Sequence, residues 1–278
     1  MPTRYYFPPG IISAVLEYCR FWKTDSIGLL DKNTLYIMEP NRVSMLVVKV
    51  NGLKAKNLKV KGWLSASNMR EVLNTKTKVN GLHSKSVVKG SEFDMLELRI
   101  VRDKVTAYGM FTYSDGKYKL TTIPFIMEKD GLKMPIKLNI KNTCTLGASI
   151  TKNLLVAFKT LSKLASSTAL SPVLTFESED EAVKVRYECE DYPTKVTYEI
   201  TVRGEMKGNP GKKVTIDGVF SKCIYEVLSK LYSTAYKMRG EAYVEFTFGN
   251  NTPLLMRVGF YTAPLSPYIT ELAIAPVY

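Results

Sequence analysis

Histidine is almost missing from the chain, since His83 is the only one among 278 residues. Triads that use histidine as a base and metal clusters built from histidine are therefore excluded. The four cysteines are widely spaced and form no C-x-x-C pair, which argues against a zinc site or a disulfide framework and favours a reducing compartment. No apolar run is long enough for a signal-peptide core or a membrane span, so we expect a soluble protein inside the cell with no membrane partner.

Two segments that could carry chemistry have simpler interpretations. The run KGNPGKK, residues 207–213, lacks the spacing of a phosphate-binding loop and precedes no helical pattern, so it reads as a hairpin loop. The acidic residues between Glu177 and Asp191 alternate with strand residues such as Val183 and Val185, which indicates a solvated sheet surface rather than a metal site. The sequence predicts a protein that is not an enzyme and uses no cofactor.

The charge balance is strongly basic, with 39 basic and 26 acidic residues and a net charge of +13. Residues 1–135 hold 22 basic and 12 acidic side chains, so +10 of that charge lies in the first half. Hydrophobic residues make up 45% of the chain, as in an ordinary globular protein. Polyanions are therefore candidate partners, although solvated lysines alone also explain many basic proteins.

Hydrophobic periodicity predicts an α+β fold in which strands dominate. Four amphipathic helices are expected at Pro9 to about Trp22, Ser65 to about Thr75, Ser149–Leu164 and Ser221 to about Tyr232. A period of two predicts strands at Thr34–Met38, Arg42–Val50, Met95–Val101, Val105–Tyr113, Val173–Ser178, Val183–Glu188, Val196–Val202, Tyr243–Phe248 and Leu254–Phe260.

The order of these elements suggests one architecture used twice. Proline and glycine interrupt the stretch Thr121–Pro135, which we interpret as the connector between two halves. The predicted domains are residues 1–120 and 136–278, joined by 121–135. Two further stretches are irregular, a basic loop at Lys76–Gly90 and a loop at Gly204–Lys213.

Four short segments occur in an order and spacing that resemble ring-shaped DNA sliding clamps of the proliferating cell nuclear antigen family. They are VLEYCR from residue 15, MEPNRVSMLVVKV from residue 38, GNNTPLLMRV from residue 249 and LAIAPVY from residue 272. In the second of them, the residues that fit the family pattern are Met38, Glu39, Arg42, Val43 and Ser44. The chain departs from the family in its basic charge, its long loop at 76–90 and Val277, where a basic residue is usual. These departures leave room for a heterotrimer subunit or a viral relative.

The resemblance implies two tandem clamp domains, with antiparallel sheets outside and two helices per domain lining a bore around duplex DNA. The basic residues that it places at or near the bore are Arg20, Lys23, Arg70, Lys76, Lys152, Lys159, Lys163, Lys222 and Lys230. Other bore positions are not basic here, namely Ser13, Ala14, Glu71 and Cys223. The alternative is that these lysines only solvate the helices.

The resemblance also implies a pocket for client proteins and a mode of subunit contact. The pocket residues would be Met38, Arg42, Val43, Met45, Ile126, Pro253, Ala273, Ile274, Ala275 and Pro276. As an alternative, Met38, Val43 and Met45 are plain core residues. Subunits would join through edge strands near Lys117–Ile123 and Lys195–Arg203.

The function implied is that of a DNA polymerase processivity factor. Its partners would be double-stranded DNA, polymerase and other clients, an ATP-dependent clamp loader, and further copies or relatives in a homotrimer or heterotrimer. It would be cytoplasmic in an archaeon or nuclear in a eukaryote. The alternatives are a monomeric clamp-like processivity subunit, a checkpoint-type ring subunit, or an unrelated basic nucleic-acid-binding β protein.

Overall fold

The computed structural model describes residues 3–7, 9–30, 34–41, 43–50, 62–71, 95–102, 107–114, 119–121, 125–126, 142–167, 172–191, 194–237, 240–260 and 268–277. The chain divides into two compact units. Unit 1 contains Met1–Pro40 and Val47–Pro135, and unit 2 contains Asn41–Leu46 and Ile136–Tyr278. The MEPNRV segment therefore contributes its last residues to the unit that is otherwise built from the second half of the chain.

The described residues of unit 1 form antiparallel strands and two helices. Its helices are α1 (Pro9–Phe21) and α2, which is helical over the described residues 66–71. Its strands are β1 (Thr3–Phe7), β2 (Ser26–Leu29), β3 (Thr34–Met38), β4 (Ser44–Val50, which starts among residues of unit 2), β5 (Gly62–Ser65), β6 (Met95–Arg102), β7 (Ala107–Ser114), β8 (Lys119–Thr121) and β9 (Phe125–Ile126). One sheet has the order β1-β6-β7-β8, with β9 also paired to β7, and the other contains β4-β3-β2-β5.

Unit 2 has the same combination of antiparallel sheets and two helices. Its helices are α3 (Lys152–Ser167) and α4 (Phe220–Lys237). Its strands are β10 (Cys144–Ser149), β11 (Val173–Ser178), β12 (Ala182–Asp191), β13 (Thr194–Arg203), β14 (Glu205–Gly208), β15 (Lys213–Asp217), β16 (Ala242–Phe248), β17 (Leu254–Phe260) and β18 (Tyr268–Ile274). The strand orders are β14-β10-β16-β17-β18 and β13-β12-β11-β15.

The helices of unit 1 are held by local caps that the sequence specifies. Helix α1 ends where Lys23 takes a left-handed conformation with φ of 51°, which lets the Thr24 N–H donate to the Cys19 carbonyl at 2.9 Å. Helix α2 begins at Ser65, whose hydroxyl accepts from the Asn68 N–H at 3.3 Å. The sequence offers Ser65 or Ser67 as the capping residue of this helix, and the structure shows that Ser65 is the one that caps it.

The core of unit 2 is aromatic where α3 meets both sheets. The ring of Phe158 on α3 stacks on Phe246 of β16 at a centroid distance of 6.2 Å. Phe176 of β11 lies 5.6 Å from the same Phe246 ring and 6.2 Å from Phe248. All four rings are fully buried, so they anchor α3 across the two sheets. The predicted inward faces of α3 and α4 are confirmed at Phe158 and at Leu228.

The structure corrects two predicted helix boundaries. Helix α3 starts at Lys152 and not at Ser149, because Ser149 pairs with Tyr243 in the β10–β16 ladder. Thr151 then caps α3, since its hydroxyl accepts from the Leu154 N–H at 3.2 Å. Helix α4 continues beyond Tyr232 to Lys237, which adds a turn with the buried Ala235 and the exposed Tyr236 that the sequence prediction omitted.

The stretch Gly204–Lys213 is also different from the prediction. It contains the strand β14, which pairs with β10, while the following β15 pairs with β11. The run 207–213 thus connects two sheets and is not a hairpin loop. Gly208 and Gly211 have φ of 89° and 75°, a conformation that glycine adopts without strain.

Three predicted strands have the same bounds in the structure: Thr34–Met38 is β3, Val173–Ser178 is β11 and Leu254–Phe260 is β17. The basic loop at 76–90, which contains Lys76 and His83, lies outside the described residues.

Among the described helices, none is long and apolar enough to cross a membrane.

Candidate functional site

One exposed stripe on α3 carries three lysines. Lys152, Val156, Lys159 and Lys163 are spaced by three or four residues, so they lie on one face of the helix. All four side chains are exposed, and that of Val156 is 63% exposed. The opposite face holds Phe158 and Leu161 in the core, and in the described part of the chain no ion pair involves the three lysines. We call Lys152, Lys159 and Lys163 the α3 lysine stripe.

Helix α4 has a mixed exposed face. Lys222 is exposed, Glu226 and Lys230 are half-buried, and the acidic Glu226 lies one turn from each lysine. Fourteen residues after Lys222, Tyr236 continues the same face and is 74% exposed. The α4 face is therefore less basic than that of α3 and ends in an aromatic ring.

The basic residues of unit 1 that were predicted to contact DNA differ in their exposure to solvent. Arg20 and Lys23 are exposed at the end of α1. Arg70 is half-buried, and its guanidinium Nη2 donates to the Leu16 carbonyl at 3.4 Å, so it ties α2 to α1. Lys76, the remaining candidate, lies outside the described residues.

The resemblance placed Cys223 at a position of α4 that faces the bore, and the structure shows that this prediction is wrong. Its side chain is 1% exposed, and burial raises the pKa of its thiol, so it belongs to the core and faces no ligand. Cys19 on α1 is fully buried as well, and desolvation raises the pKa of its thiol to about 12 even though Arg70 lowers it. Both thiols are therefore poor nucleophiles.

Several client-pocket candidates converge in unit 2. The Ala275 N–H donates to the Val43 carbonyl at 2.8 Å, which joins the 41–46 segment to the C-terminal residues. Leu255 and Ala273 are cross-strand partners on β17 and β18, and both are half-exposed. The half-exposed members of this apolar surface are Val43, Met45, Pro253, Leu255, Ala273, Ala275 and Pro276.

Of the other pocket candidates, one is a core residue, two belong to unit 1 and one lies outside the described residues. Ile274 is fully buried and pairs with Leu254, so its side chain is a core residue and is unavailable to a partner. Met38 and Ile126 belong to unit 1, where Ile126 is 60% exposed. Arg42 lies outside the described residues.

The C-terminal residues are fixed in place against a second sheet of unit 2. The Val277 N–H donates to the Thr215 carbonyl of β15 at 2.9 Å. Since β15 is an end strand in the order β13-β12-β11-β15, the tail covers that strand's open edge. Within the described residues, β13 at the other end pairs only with β12. Its length of 10 residues leaves a long unpaired edge.

The acidic residues from Glu177 to Glu190 are exposed or half-exposed, so they lie on a solvated surface, as the sequence predicted. Glu179 pairs with Lys184, and Glu199 of β13 pairs with Arg186 at 3.0 Å. Among the described residues there is no group of acidic, cysteine or histidine side chains that could hold a metal ion.

Sequence reasoning missed Val156 and Tyr236. Val156 lies between Lys152 and Lys159 at helical spacing, so the sequence already places it on the lysine face. Tyr236 was missed because the predicted helix ended at about Tyr232, five residues before the end of α4 at Lys237. A search for positions at i+14 from Lys222 would have found it.

A comparison with solved structures gives a match over the whole chain. The crystal structure of proliferating cellular nuclear antigen from Entamoeba histolytica aligns with a TM-score of 0.65, covering 99% of this chain and 99% of that one. The two sequences are 12% identical. No protein-family model matches the sequence, and no curated protein matches it. The chain therefore has the fold of that clamp, α+β with two units of antiparallel sheets and helices, as the sequence predicted.

Proposed function

We propose that the protein is a sliding clamp, a non-enzymatic processivity factor that encircles duplex DNA and tethers replication and repair enzymes to it. The observation that carries this proposal is the α3 lysine stripe, three exposed ammonium groups on one helix of a clamp fold. A helix that only covered a sheet would not need all the charges of its exposed face to be positive.

The lysine stripe suits contact with DNA backbone and not with base edges. Lysine side chains are flexible point charges that reach phosphate oxygens, and such contacts carry no sequence information. Neutralised phosphates release counterions, so binding is expected to weaken steeply with salt. Indifference to sequence is what movement along DNA requires. Arg20 and Lys23 of unit 1 would add phosphate contacts of the same kind. Lys222 and Lys230, on α4 of unit 2, would add further ones.

The apolar surface around Val43 and Ala275 supports client docking in the same unit. A short peptide with aliphatic or aromatic anchors would bury these half-exposed residues, and a few anchors would supply most of the binding energy. Met38, Arg42 and Ile126 remain candidate pocket residues under this proposal. Stretch 121–135 would be the connector beside it.

Closure into a ring would use the sheet edges. Among the described strands, β13 pairs on one side only, and β8 lies at the end of the order β1-β6-β7-β8 in unit 1. Pairing of β8 of one copy with β13 of the next would continue a sheet across chains. Three copies would form the ring, placed on DNA by an ATP-dependent loader.

Topological retention tests the proposal without a loader. Linear duplex is tethered to beads by one end, the protein is added so that rings thread over the free end, and that end is then blocked by a bulky protein. A ring is expected to remain through a high-salt wash and to leave when a restriction enzyme opens the duplex. Retention that is equal with open and blocked ends would contradict encirclement and indicate a groove binder.

The second candidate is a monomeric clamp-like processivity subunit, and the net charge of +13 favours it because direct attraction to DNA can replace closure. Light scattering after size exclusion separates the two. A homotrimer has three times 31.3 kDa, near 94 kDa, while a subunit that acts alone elutes at 31.3 kDa. A checkpoint-type subunit would form the larger species only when mixed with its partner subunits.

A further inference from the structure

Tyr236 is the most exposed of the large apolar and aromatic side chains that the structure describes as exposed. The residue is 74% exposed in the last turn of α4, and beyond the helix the Gly240 N–H donates to the Ala235 carbonyl at 2.9 Å. A tyrosine side chain has only two χ angles, so its flat ring can pack against a partner at a low cost in conformational entropy. Its position on the face of Lys222 places it on the side proposed to meet DNA.

A cleft lies beside this ring, where the end of α4 meets the start of α3. Its volume is about 370 Å³, at the small end of the range for ligand sites. Tyr232 and Tyr236 line it from α4, Lys152 lines it from the first turn of α3, and Glu241 lines it from the segment before β16. It thus combines two phenol rings, one cation and one anion.

This combination fits a neutral flat group better than a phosphate. The Glu241 carboxylate repels an anion inside the cleft, whereas the exposed ammonium of Lys152 can reach a phosphate at its rim. Aromatic side chains stack on nucleobases with little regard to sequence, because every base has a π face. Bases within a duplex have both faces covered by their neighbours, so only an unpaired base can use Tyr236.

We propose that the cleft between the start of α3 and the end of α4 binds one unpaired nucleobase, stacked on Tyr236, with its phosphate at Lys152. The inference rests on the proposed function in one respect, that the α3 and α4 faces are those that meet DNA. It adds a preference for a junction, where single-stranded DNA leaves a duplex held by the α3 lysine stripe.

The test compares three labelled DNAs by fluorescence anisotropy: a blunt duplex, the same duplex with a single-stranded overhang, and the single strand alone. Replacing Tyr236→Ala is expected to lower affinity for the overhang DNA by about 5- to 150-fold, the range for one lost base stack. Affinity for the blunt duplex should be unchanged. Tyr236→Phe keeps the ring and should bind all three DNAs as the parent protein does.

Two further variants help to show whether a loss of affinity for the overhang DNA comes from the lost stacking on Tyr236. Val219→Ala shortens another exposed apolar side chain, 45% exposed just before α4, and should change nothing. A Tyr236→Trp variant should show fluorescence quenching with the overhang DNA and none with the blunt duplex. Because Tyr236 is exposed, each variant should keep the parent circular dichroism and melting temperature.

The outcomes separate this inference from the proposed function. Equal loss of blunt and overhang DNA in Tyr236→Ala, or equal loss in Tyr236→Phe and Tyr236→Ala, would overturn the stacking site, as would no loss at all. The double variant Lys159→Glu with Lys163→Glu should lose the blunt duplex. If it keeps full duplex affinity, the DNA face proposed for α3 is wrong, whatever Tyr236 does.

Discussion

Removing the α3 lysine stripe should change how binding to short linear duplex depends on salt. In a triple variant, Lys152, Lys159 and Lys163 are each replaced by alanine. Each phosphate contact contributes about 0.9 to the slope of log affinity against log salt concentration on duplex DNA. Three contacts therefore correspond to about 2.7 units of slope for each copy of the chain that engages DNA through this stripe.

The structure predicts that the fold will tolerate this change. All three side chains are exposed on α3, and their opposite face, with Phe158 and Leu161, stays in the core. Alanine has the highest helix propensity, and exposed substitutions of this kind usually change the free energy of unfolding by less than about 0.5 kcal/mol each. A loss of affinity in this variant would thus report on DNA contact and not on unfolding.

The assay measures duplex affinity by fluorescence anisotropy between about 50 and 200 mM salt, a range over which such slopes are well resolved. A matched control removes the same formal charge from strand positions of unit 2 outside the proposed subunit edge: Lys184, Lys207 and Lys213, each replaced by alanine. Lys207 and Lys213 are exposed, and the side chain of Lys184 is 36% exposed; Lys184 pairs with Glu179, and Lys207 lies 3.6 Å from Glu205. Losing such exposed ion pairs costs little stability.

The control is expected to keep nearly the parent slope, since its lysines are not on the helix face. Parallel slopes for the two triple variants would mean that affinity follows net charge alone. In that case the α3 lysine stripe has no special role, and the reasoning from its position is refuted.

Two further predictions concern the fold of the described units. Gly204→Ala should cost about 3 kcal/mol or more, because its Cβ would lie 2.1 Å from the Gly147 carbonyl oxygen, whereas Gly211→Ala has open space and should cost only about 1 kcal/mol for its φ of +75°. Equal losses in urea denaturation would contradict the close approach of the two backbones at Gly204 and Gly147. Burial raises the pKa of Cys19 from 9.0 to about 12, so between those values the unfolded chain releases a thiol proton that the folded chain keeps. The free energy of unfolding should therefore fall with rising pH, by up to about 1.4 kcal/mol per unit for this group, and it should fall less steeply in Cys19→Ala; identical slopes would be inconsistent with a buried thiol.

Much of the secondary structure follows from local sequence pattern. Strand β17 alternates buried and exposed residues from Leu254 to Met256, and β11 shows three buried residues in a row from Leu174 to Phe176, yet both were predicted with correct bounds. The described strands that were not predicted as period-two strands are β1, β2, β5, β8, β9, β10, β14, β15 and β18. In β10 the outward positions Thr145, Gly147 and Ser149 alternate with the buried Cys144, Leu146 and Ala148, so small residues hide the contrast on which the pattern depends.

The candidate site was only partly predictable. The α3 lysine stripe follows from helical spacing alone, because three lysines on one face need no knowledge of the rest of the fold. The burial of Ile274 was not predicted, because β18 was not recognised as a strand and packing decides which of its side chains turn inward. Cys223 was placed at a bore position by the resemblance alone, although its spacing of four residues before Val227 puts it on the buried face of α4. The resemblance to a clamp gave the positions but not their exposure.

Amphipathic spacing in the sequence by itself determined that α3 would show a basic face and bury an aromatic one, and it determined most of the strands that surround it. Tertiary structure decided that a backbone hydrogen bond joins Val43 to Ala275, two residues that only the resemblance to a clamp had brought together, and that the end of α4 meets the start of α3 to form a cleft. The physical reason is the distance along the chain over which each kind of interaction acts. Periodicity acts over a few residues along the chain, whereas these contacts join segments that are far apart in sequence and depend on how the sheets and helices pack.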